Sequence, residues 1–233
     1  MRKNRIFAIV PAAGSGLRMA SGLPKQYLTI KQDTVLSLTL ARIFDSLQVE
    51  KVVVAASSGD PYLQNSIVSF GARCVRVEGG EERCYSVLRG LEYLEKEVAE
   101  DDWVLVHDAA RPCVRSSDIQ NLMAAIEHSS VGGILGAPAT DTLKVFEEGK
   151  IVETLDRSKV WRALTPQIFR FKLLIDAMRF SLKKGLRITD EAQAVESFGS
   201  RVSIVLGHSD NIKITFPGDL KLAEYFLSTQ ESL

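Results

Sequence analysis

The sequence predicts an α/β protein built on a mostly parallel sheet. Continuous apolar, β-branched runs recur along it, as at Val52-Val53-Val54-Ala55-Ala56, and strands read this way when both faces are buried. Between them lie segments whose apolar residues share one helical face. Strand–helix alternation of this kind requires crossover connections and helices on both sides of the sheet.

The first strand is Ile6-Phe7-Ala8-Ile9-Val10, and it runs into Pro11–Leu28, PAAGSGLRMASGLPKQYL. Small residues at 12–16 let backbone N–H groups approach a ligand, and Arg18 and Lys25 add two cations within one loop. That combination suits the phosphates of a nucleoside triphosphate. A plain strand-to-helix turn is the alternative. Two other nucleotide loops fit worse. The third glycine of a dinucleotide fingerprint is replaced by Met19, no acidic residue ends the strand at Ala55-Ala56-Ser57, and no Gly-Lys-Ser/Thr occurs.

Leu36, Leu40, Ile43, Phe44 and Leu47 then share one helical face. A strand over Arg73–Val77 precedes Gly79-Gly80-Glu81-Glu82-Arg83-Cys84-Tyr85-Ser86, which opens a helix carrying Val87, Leu88, Leu91 and Leu94. This turn either presents backbone donors to a base or ribose or is an ordinary cap. The strand Trp103–Val106 leads into His107-Asp108-Ala109-Ala110-Arg111-Pro112. In open α/β sheets ligands bind beyond the carboxyl ends of strands. There Asp108 and Arg111 meet a metal, sugar hydroxyls or a phosphate, or else cap the next helix as a structural pair. That helix carries Ile119, Leu122, Met123 and Ile126.

Residues 142–154 break the rhythm and read as a hairpin turning at Glu147-Glu148-Gly149-Lys150. A hairpin leaving an α/β core must cover its apolar side chains, with a second subunit or with its own domain. Val202–Leu206 reads as another strand buried on both faces. Asn211-Ile212-Lys213-Ile214-Thr215 reads as on or near a strand, with Lys213 an edge gatekeeper or a phosphate ligand. Arg157 is similarly open. Thr189-Asp190-Glu191-Ala192 reads first as a helix cap.

Composition sets the outer bounds. The chain has 233 residues, 45% hydrophobic and 25% charged, with no repeat or linker, and is expected to form one domain. Its 29 basic and 29 acidic residues balance, which excludes a broad nucleic-acid footprint. Cys74, Cys84 and Cys113 are odd in number and lack CxxC spacing, as in a reduced, cytoplasmic protein. The three histidines lack metal-ligand spacing. Arg2, Lys3 and Arg5 before an apolar run faintly imitate a signal peptide. Pro11 and the glycine loop favour a first strand, and no stretch approaches a membrane span.

Taken in order, these strings resemble the 2-C-methyl-D-erythritol 4-phosphate cytidylyltransferases of the non-mevalonate isoprenoid pathway. The matching strings are Pro11-Ala12-Ala13-Gly14-x-Gly16-x-Arg18-Met19, Pro24-Lys25-Gln26-Tyr27-Leu28, Gly79-Gly80-x-x-Arg83-x-x-Ser86-Val87 and His107–Pro112. Asp141-Thr142-Leu143-Lys144, Asp156-Arg157, Leu164-Thr165-Pro166-Gln167, Thr189–Ala192 and Asn211–Thr215 continue the likeness almost end to end.

The resemblance implies a Rossmann-like nucleotidyltransferase fold, a twisted, mostly parallel sheet flanked by helices. It implies a homodimer joined through a protruding β-arm at about 140–165, and a divalent cation, usually Mg²⁺. By the same likeness Pro11, Ala12, Ala13, Gly14, Gly16, Gly80, Arg83 and Ser86 hold CTP, and Arg18 and Lys25 are catalytic. Arg157 and Lys213 position a polyol phosphate. Asp108, Arg111, Thr142, Thr165 and Thr189 shape its pocket, some across the dimer, with Asp108 meeting the metal. The partners implied are small molecules, with no nucleic acid and no membrane. The competing readings are a ribitol-5-phosphate-type cytidylyltransferase, an NAD(P)-binding oxidoreductase and a non-catalytic nucleotide-binding regulator.

Overall fold

The computed structural model describes residues 4–14 and 22–230. In chain order its strands are β1 (Ile6–Pro11), β2 (Thr29–Ile30), β3 (Asp33–Thr34), β4 (Val49–Ala56), β5 (Cys74–Glu78), β6 (Trp103–Val106), β7 (Gly132–Pro138), β8 (Lys144–Glu147), β9 (Lys150–Thr154), β10 (Trp161–Arg170) and β11 (Ser203–Leu206). The helices are α1 (Val35–Ser46), α2 (Leu63–Ile67), α3 (Arg83–Leu94), α4 (Ser116–Ile126), α5 (Phe171–Lys183), α6 (Glu191–Ser197) and α7 (Pro217–Gln230). Seven strands form one sheet in the order β11-β7-β10-β6-β1-β4-β5. β1 lies parallel to both β4 and β6, β4 parallel to β5, and β7 parallel to β11. Only β10 runs against its neighbours β6 and β7.

The continuous apolar runs follow from burial on both faces. Ala8 and Val10 of β1 pack with Leu36, Leu40 and Ile43 of α1 and with Ile119, Leu122 and Ile126 of α4. Phe7 and Ile9 point the other way, into Val87, Leu91 and Leu94 of α3 and Leu174 and Ile175 of α5. Burying one such side chain contributes roughly 1.5–3 kcal/mol. A third cluster joins Ala223 and Leu227 of α7 to Val35, Ala110, Cys113 and Ile214.

Local signals set the helix starts. Thr34 caps α1: its hydroxyl accepts from the Ser37 N–H at 3.1 Å, and its own N–H donates to the Ser37 hydroxyl at 3.1 Å. Asp190 caps α6, its carboxylate accepting from the Gln193 N–H at 2.9 Å. The capping expectation for that string therefore holds at Asp190.

Three expectations need correction. β11 is an edge strand, and Ile204 and Leu206 are exposed rather than buried on both faces. An apolar run cannot distinguish an edge from the sheet centre, because only the neighbouring strand does that. Asn211–Thr215 joins no ladder. Its backbone bonds go to other elements: the Ile214 N–H donates to the Ala110 carbonyl at 2.9 Å, and the Asn211 carbonyl accepts from Arg111 at 2.6 Å. The hairpin is β8–β9, and it is shorter than the 140–165 arm, since Trp161 already belongs to β10 of the main sheet. Phe146 and Ile151 on the hairpin are 68% and 65% exposed, so it does not fold back on its own core. No helix among the described residues is long and apolar enough to cross a membrane.

Candidate active site

Topology gathers the site. β1, β4, β5 and β6 run parallel, so the segments after their carboxyl ends emerge along one edge of the sheet. β1 has β4 on one side and β6 on the other. The segment after Pro11 therefore sits where the chain switches direction across the sheet, the place where such sheets bind ligands. A cleft of about 490 Å³ opens there.

Pro11, Ala12, Ala13 and Gly14 line it, with Gly80, Arg83 and Ser86 from the turn before α3, Asp108 after β6, and Lys25 and Lys213. Five segments far apart in sequence thus converge on one cleft. Gly16 and Arg18 lie outside the described residues. Close approach explains the paired glycines. A Cβ on Gly79 would fall 2.5 Å from the Ala13 Cβ, and one on Gly80 would fall 2.3 Å from the Tyr85 Cβ. The Gly80 N–H donates to the Ser86 hydroxyl at 3.0 Å, which fixes the turn.

Gln26 was not singled out by its residue type. It is buried, and its amide donates to the Ala12 carbonyl at 2.7 Å and the Gly14 carbonyl at 3.2 Å. This ties the main chain at Ala12 and Gly14 to one buried side chain. The Lys25 ammonium donates to the Ile214 carbonyl at 2.7 Å.

Asp108 is the electrostatic hub. Its Oδ1 accepts from Arg83 Nε at 2.8 Å, while its Oδ2 lies 2.8 Å from Lys213 Nζ and 3.4 Å from Arg111 Nε. Burial alone would raise this carboxyl, but Arg83, Lys213 and Arg111 together outweigh it and hold it well below the usual carboxylate range. Glu191, likewise not singled out, grips Arg83 through both oxygens at 2.7 and 3.0 Å. Burial works against the Arg83 charge, yet Glu191 and then Asp108 more than compensate and raise it above its ordinary value.

Thr165 and Arg111 stand behind the hub. The Asp108 N–H donates to the Thr165 hydroxyl at 3.2 Å, and that hydroxyl lies 3.0 Å from His107 Nδ1. His107 Nε2 is 3.0 Å from the Arg111 carbonyl. A carbonyl only accepts, so Nε2 carries the proton and Nδ1 accepts from Thr165. Burial pushes the His107 imidazole down to about 4, which keeps it neutral near pH 7. Its place is structural: it fixes the backbone that carries Asp108.

Thr142, Arg157 and Thr189 are exposed and are not among the residues lining this cleft. Arg157 donates to the Thr140 carbonyl at 2.8 Å. The Thr189 hydroxyl donates to Gln193 at 3.0 Å. Asp108 fits poorly as the core of a protein-built metal centre, because three cations already occupy its oxygens. Among the described residues no three His, Cys, Asp or Glu side chains converge as metal ligands.

The chain matches the family model for 2-C-methyl-D-erythritol 4-phosphate cytidylyltransferase, IspD, over residues 6–229. It belongs to the IspD family. A relative named 2-C-methyl-D-erythritol 4-phosphate cytidylyltransferase from Aliivibrio fischeri is 47% identical over 223 residues, spanning 95% of this chain and 93% of its own. One of the same name from Hahella chejuensis is 46% identical, spanning 97% and 95%. A crystal structure of 4-diphosphocytidyl-2C-methyl-D-erythritol synthase superposes with a TM-score of 0.84 at 36% identity, covering 97% of this chain and 100% of that one. IspD from Francisella tularensis gives 0.83 at 36% identity, covering 96% and 100%. IspD membership makes the chain a cytidylyltransferase and sets aside the oxidoreductase reading.

Proposed function

We infer that this enzyme transfers the cytidylyl group of CTP to 2-C-methyl-D-erythritol 4-phosphate. The products are 4-diphosphocytidyl-2-C-methyl-D-erythritol and pyrophosphate, a step in making isoprenoid precursors. The observation that carries this reading is the convergence of Lys25, Lys213, Arg83 and Asp108 beside the small-residue loop after β1, in a chain matched almost throughout by the IspD model.

A phosphate monoester has a second pKa of about 6, so the acceptor is mostly dianionic near pH 7. Its oxygen attacks the α-phosphorus of CTP and forms the new P–O bond. The bond to the bridging oxygen breaks, and pyrophosphate leaves with that electron pair. No general base is required, which agrees with a neutral His107 engaged on both nitrogens.

The barrier is mutual repulsion of two anions, and fixed cations lower it. In this reading Pro11–Gly14, Gly16, Gly80, Arg83 and Ser86 bind CTP, and Arg18 and Lys25 stabilise the charge that develops around the α-phosphorus. Lys213 receives the acceptor phosphate, with Arg111 and Thr165 holding Asp108 behind it. A divalent cation such as magnesium would be held mainly by the triphosphate oxygens and water, and would supply charge neutralisation there.

A homodimer belongs to the same reading. Phe146 and Ile151 want cover, and Thr142 and Arg157 at the base of the hairpin reach the acceptor pocket of the partner subunit. Three free, buried cysteines accord with a reducing cytoplasm.

The deciding experiment measures pyrophosphate release with CTP, Mg²⁺ and 2-C-methyl-D-erythritol 4-phosphate. Turnover that falls sharply with UTP, ATP or ribitol 5-phosphate is expected. Equal or better turnover with ribitol 5-phosphate would move the enzyme to the other branch.

A further inference from the structure

Helix capping explains only half of Thr189-Asp190-Glu191-Ala192. Asp190 caps α6, but Glu191 is fully buried and points to Arg83. Its two oxygens take both terminal nitrogens of Arg83, at 2.7 and 3.0 Å. That leaves Arg83 Nε for Asp108 Oδ1 at 2.8 Å, and Asp108 Oδ2 for Lys213 at 2.8 Å and Arg111 at 3.4 Å. One continuous ionic chain therefore runs from Glu191 through Arg83 and Asp108 to Lys213. With Arg111 also on Asp108, the network's three cations and two carboxylates carry one net formal positive charge.

We propose that Glu191 is a positioning residue for the acceptor phosphate, acting through Arg83 and Asp108 to hold the Lys213 ammonium in the cleft. This rests on the reading of Lys213 as the group that receives that phosphate. A guanidinium clamped on its terminal nitrogens by a carboxylate fork has only its Nε side left for Asp108. Without Glu191, those terminal donors turn to the nearest carboxylate. Arg83 then takes Asp108 as a two-point partner and withdraws it from Lys213. The Lys213 side chain, 39% exposed, loses its tether and spreads over many rotamers. The fold supports this division of labour. Arg83 opens α3 and Glu191 opens α6, so the pair fastens two helix starts together. Arg83, which the resemblance also places at CTP, keeps its charge and its place at the start of α3, so CTP binding is expected to change less than acceptor binding.

Two variants test this, each assayed for acceptor KM, CTP KM and kcat by pyrophosphate release, with thermal melting recorded alongside. Glu191→Gln keeps the shape and removes the charge. Glu191→Asp keeps the charge but is too short to grip both nitrogens. Glu191→Gln is expected to raise acceptor KM by about tenfold or more while CTP KM stays within about threefold. Glu191→Asp should fall between it and the wild type. Should Glu191→Gln fail to fold, Glu191→Asp decides alone, with acceptor KM raised and CTP KM unchanged. An acceptor KM at the wild-type value in a folded variant, or a parallel rise in both KM values, overturns the inference. A wild-type enzyme inactive with CTP and the acceptor would instead refute the functional reading itself.

Discussion

Lys25 and Lys213 bring the same charge to one cleft but are held differently. Lys25 donates to a main-chain carbonyl, Ile214, while Lys213 is paired with the Asp108 carboxylate. The two substitutions should therefore separate. Lys25→Ala is expected to leave the fold intact and lower kcat by roughly 10²–10³, about 3–4 kcal/mol of transition-state stabilisation, with a smaller effect on CTP affinity. A folded Lys25→Ala enzyme with near-normal turnover would remove its assigned role. Lys213→Ala should mainly raise acceptor KM, and unchanged KM and kcat together would exclude it. His107 gives a pH signature. Its native value is about 4 against an ordinary 6.5, so between those pH values the unfolded chain binds a proton that the native state refuses. Stability should be flat above about pH 6.5 and fall by on the order of 3 kcal/mol as pH drops to 4. Asp108 is held below that window and loses its contribution only in stronger acid. Urea titrations of wild type and His107→Gln across pH 4–7 check this. An equal slope in both proteins would assign the loss to other groups. The cations and glycines of the cleft were legible in sequence because their residue types and spacing are distinctive. Gln26 and Glu191 were not, because their meaning is a contact. Gln26 matters through carbonyls 12 and 14 positions away, and Glu191 through a guanidinium 108 positions away.

At the level of elements, the hairpin β8–β9 carries the clearest prediction. It presents Phe146, Ile151 and Val152 to solvent in the single chain. If a second subunit covers them, Phe146→Ser with Ile151→Ser should shift the protein toward monomer by sedimentation while leaving the main sheet's circular dichroism unchanged. A wild-type chain that sediments as a monomer would dismiss the role given to this hairpin. Most strands were readable because two-sided burial writes itself as β-branched runs. β7 and β10 were less so. β7 includes Gly132, Gly133 and Gly136, where a Cβ on Gly132 would lie 2.1 Å from the Ile168 carbonyl oxygen, so tight strand packing replaces apolar side chains. β10 contains Pro166 and polar Thr165 and Gln167, which serve the site rather than the core. The misread edge of β11 and the ladder-free Asn211–Thr215 have one cause. Composition reports how apolar a segment is, but pairing depends on what the fold lays beside it.

For the whole molecule, the positions of Thr142 and Arg157 outside their own cleft turn subunit composition into an activity question. If each site borrows them from its partner, Lys25→Ala and Arg157→Ala enzymes, each inactive alone, should complement when mixed. Random exchange makes half the dimers mixed, each with one intact site, so activity should recover to roughly a quarter of wild type. No recovery after exchange would confine each site to one chain. The last helix also has a bearing on function. α7 supplies none of the described cleft-lining residues, yet Ala223 and Leu227 seat Ile214, whose carbonyl anchors Lys25 and whose neighbour is Lys213. Trimming or fusing the tail would thus damage turnover before it damaged the sheet, and an affinity tag placed there could be mistaken for an inhibitor.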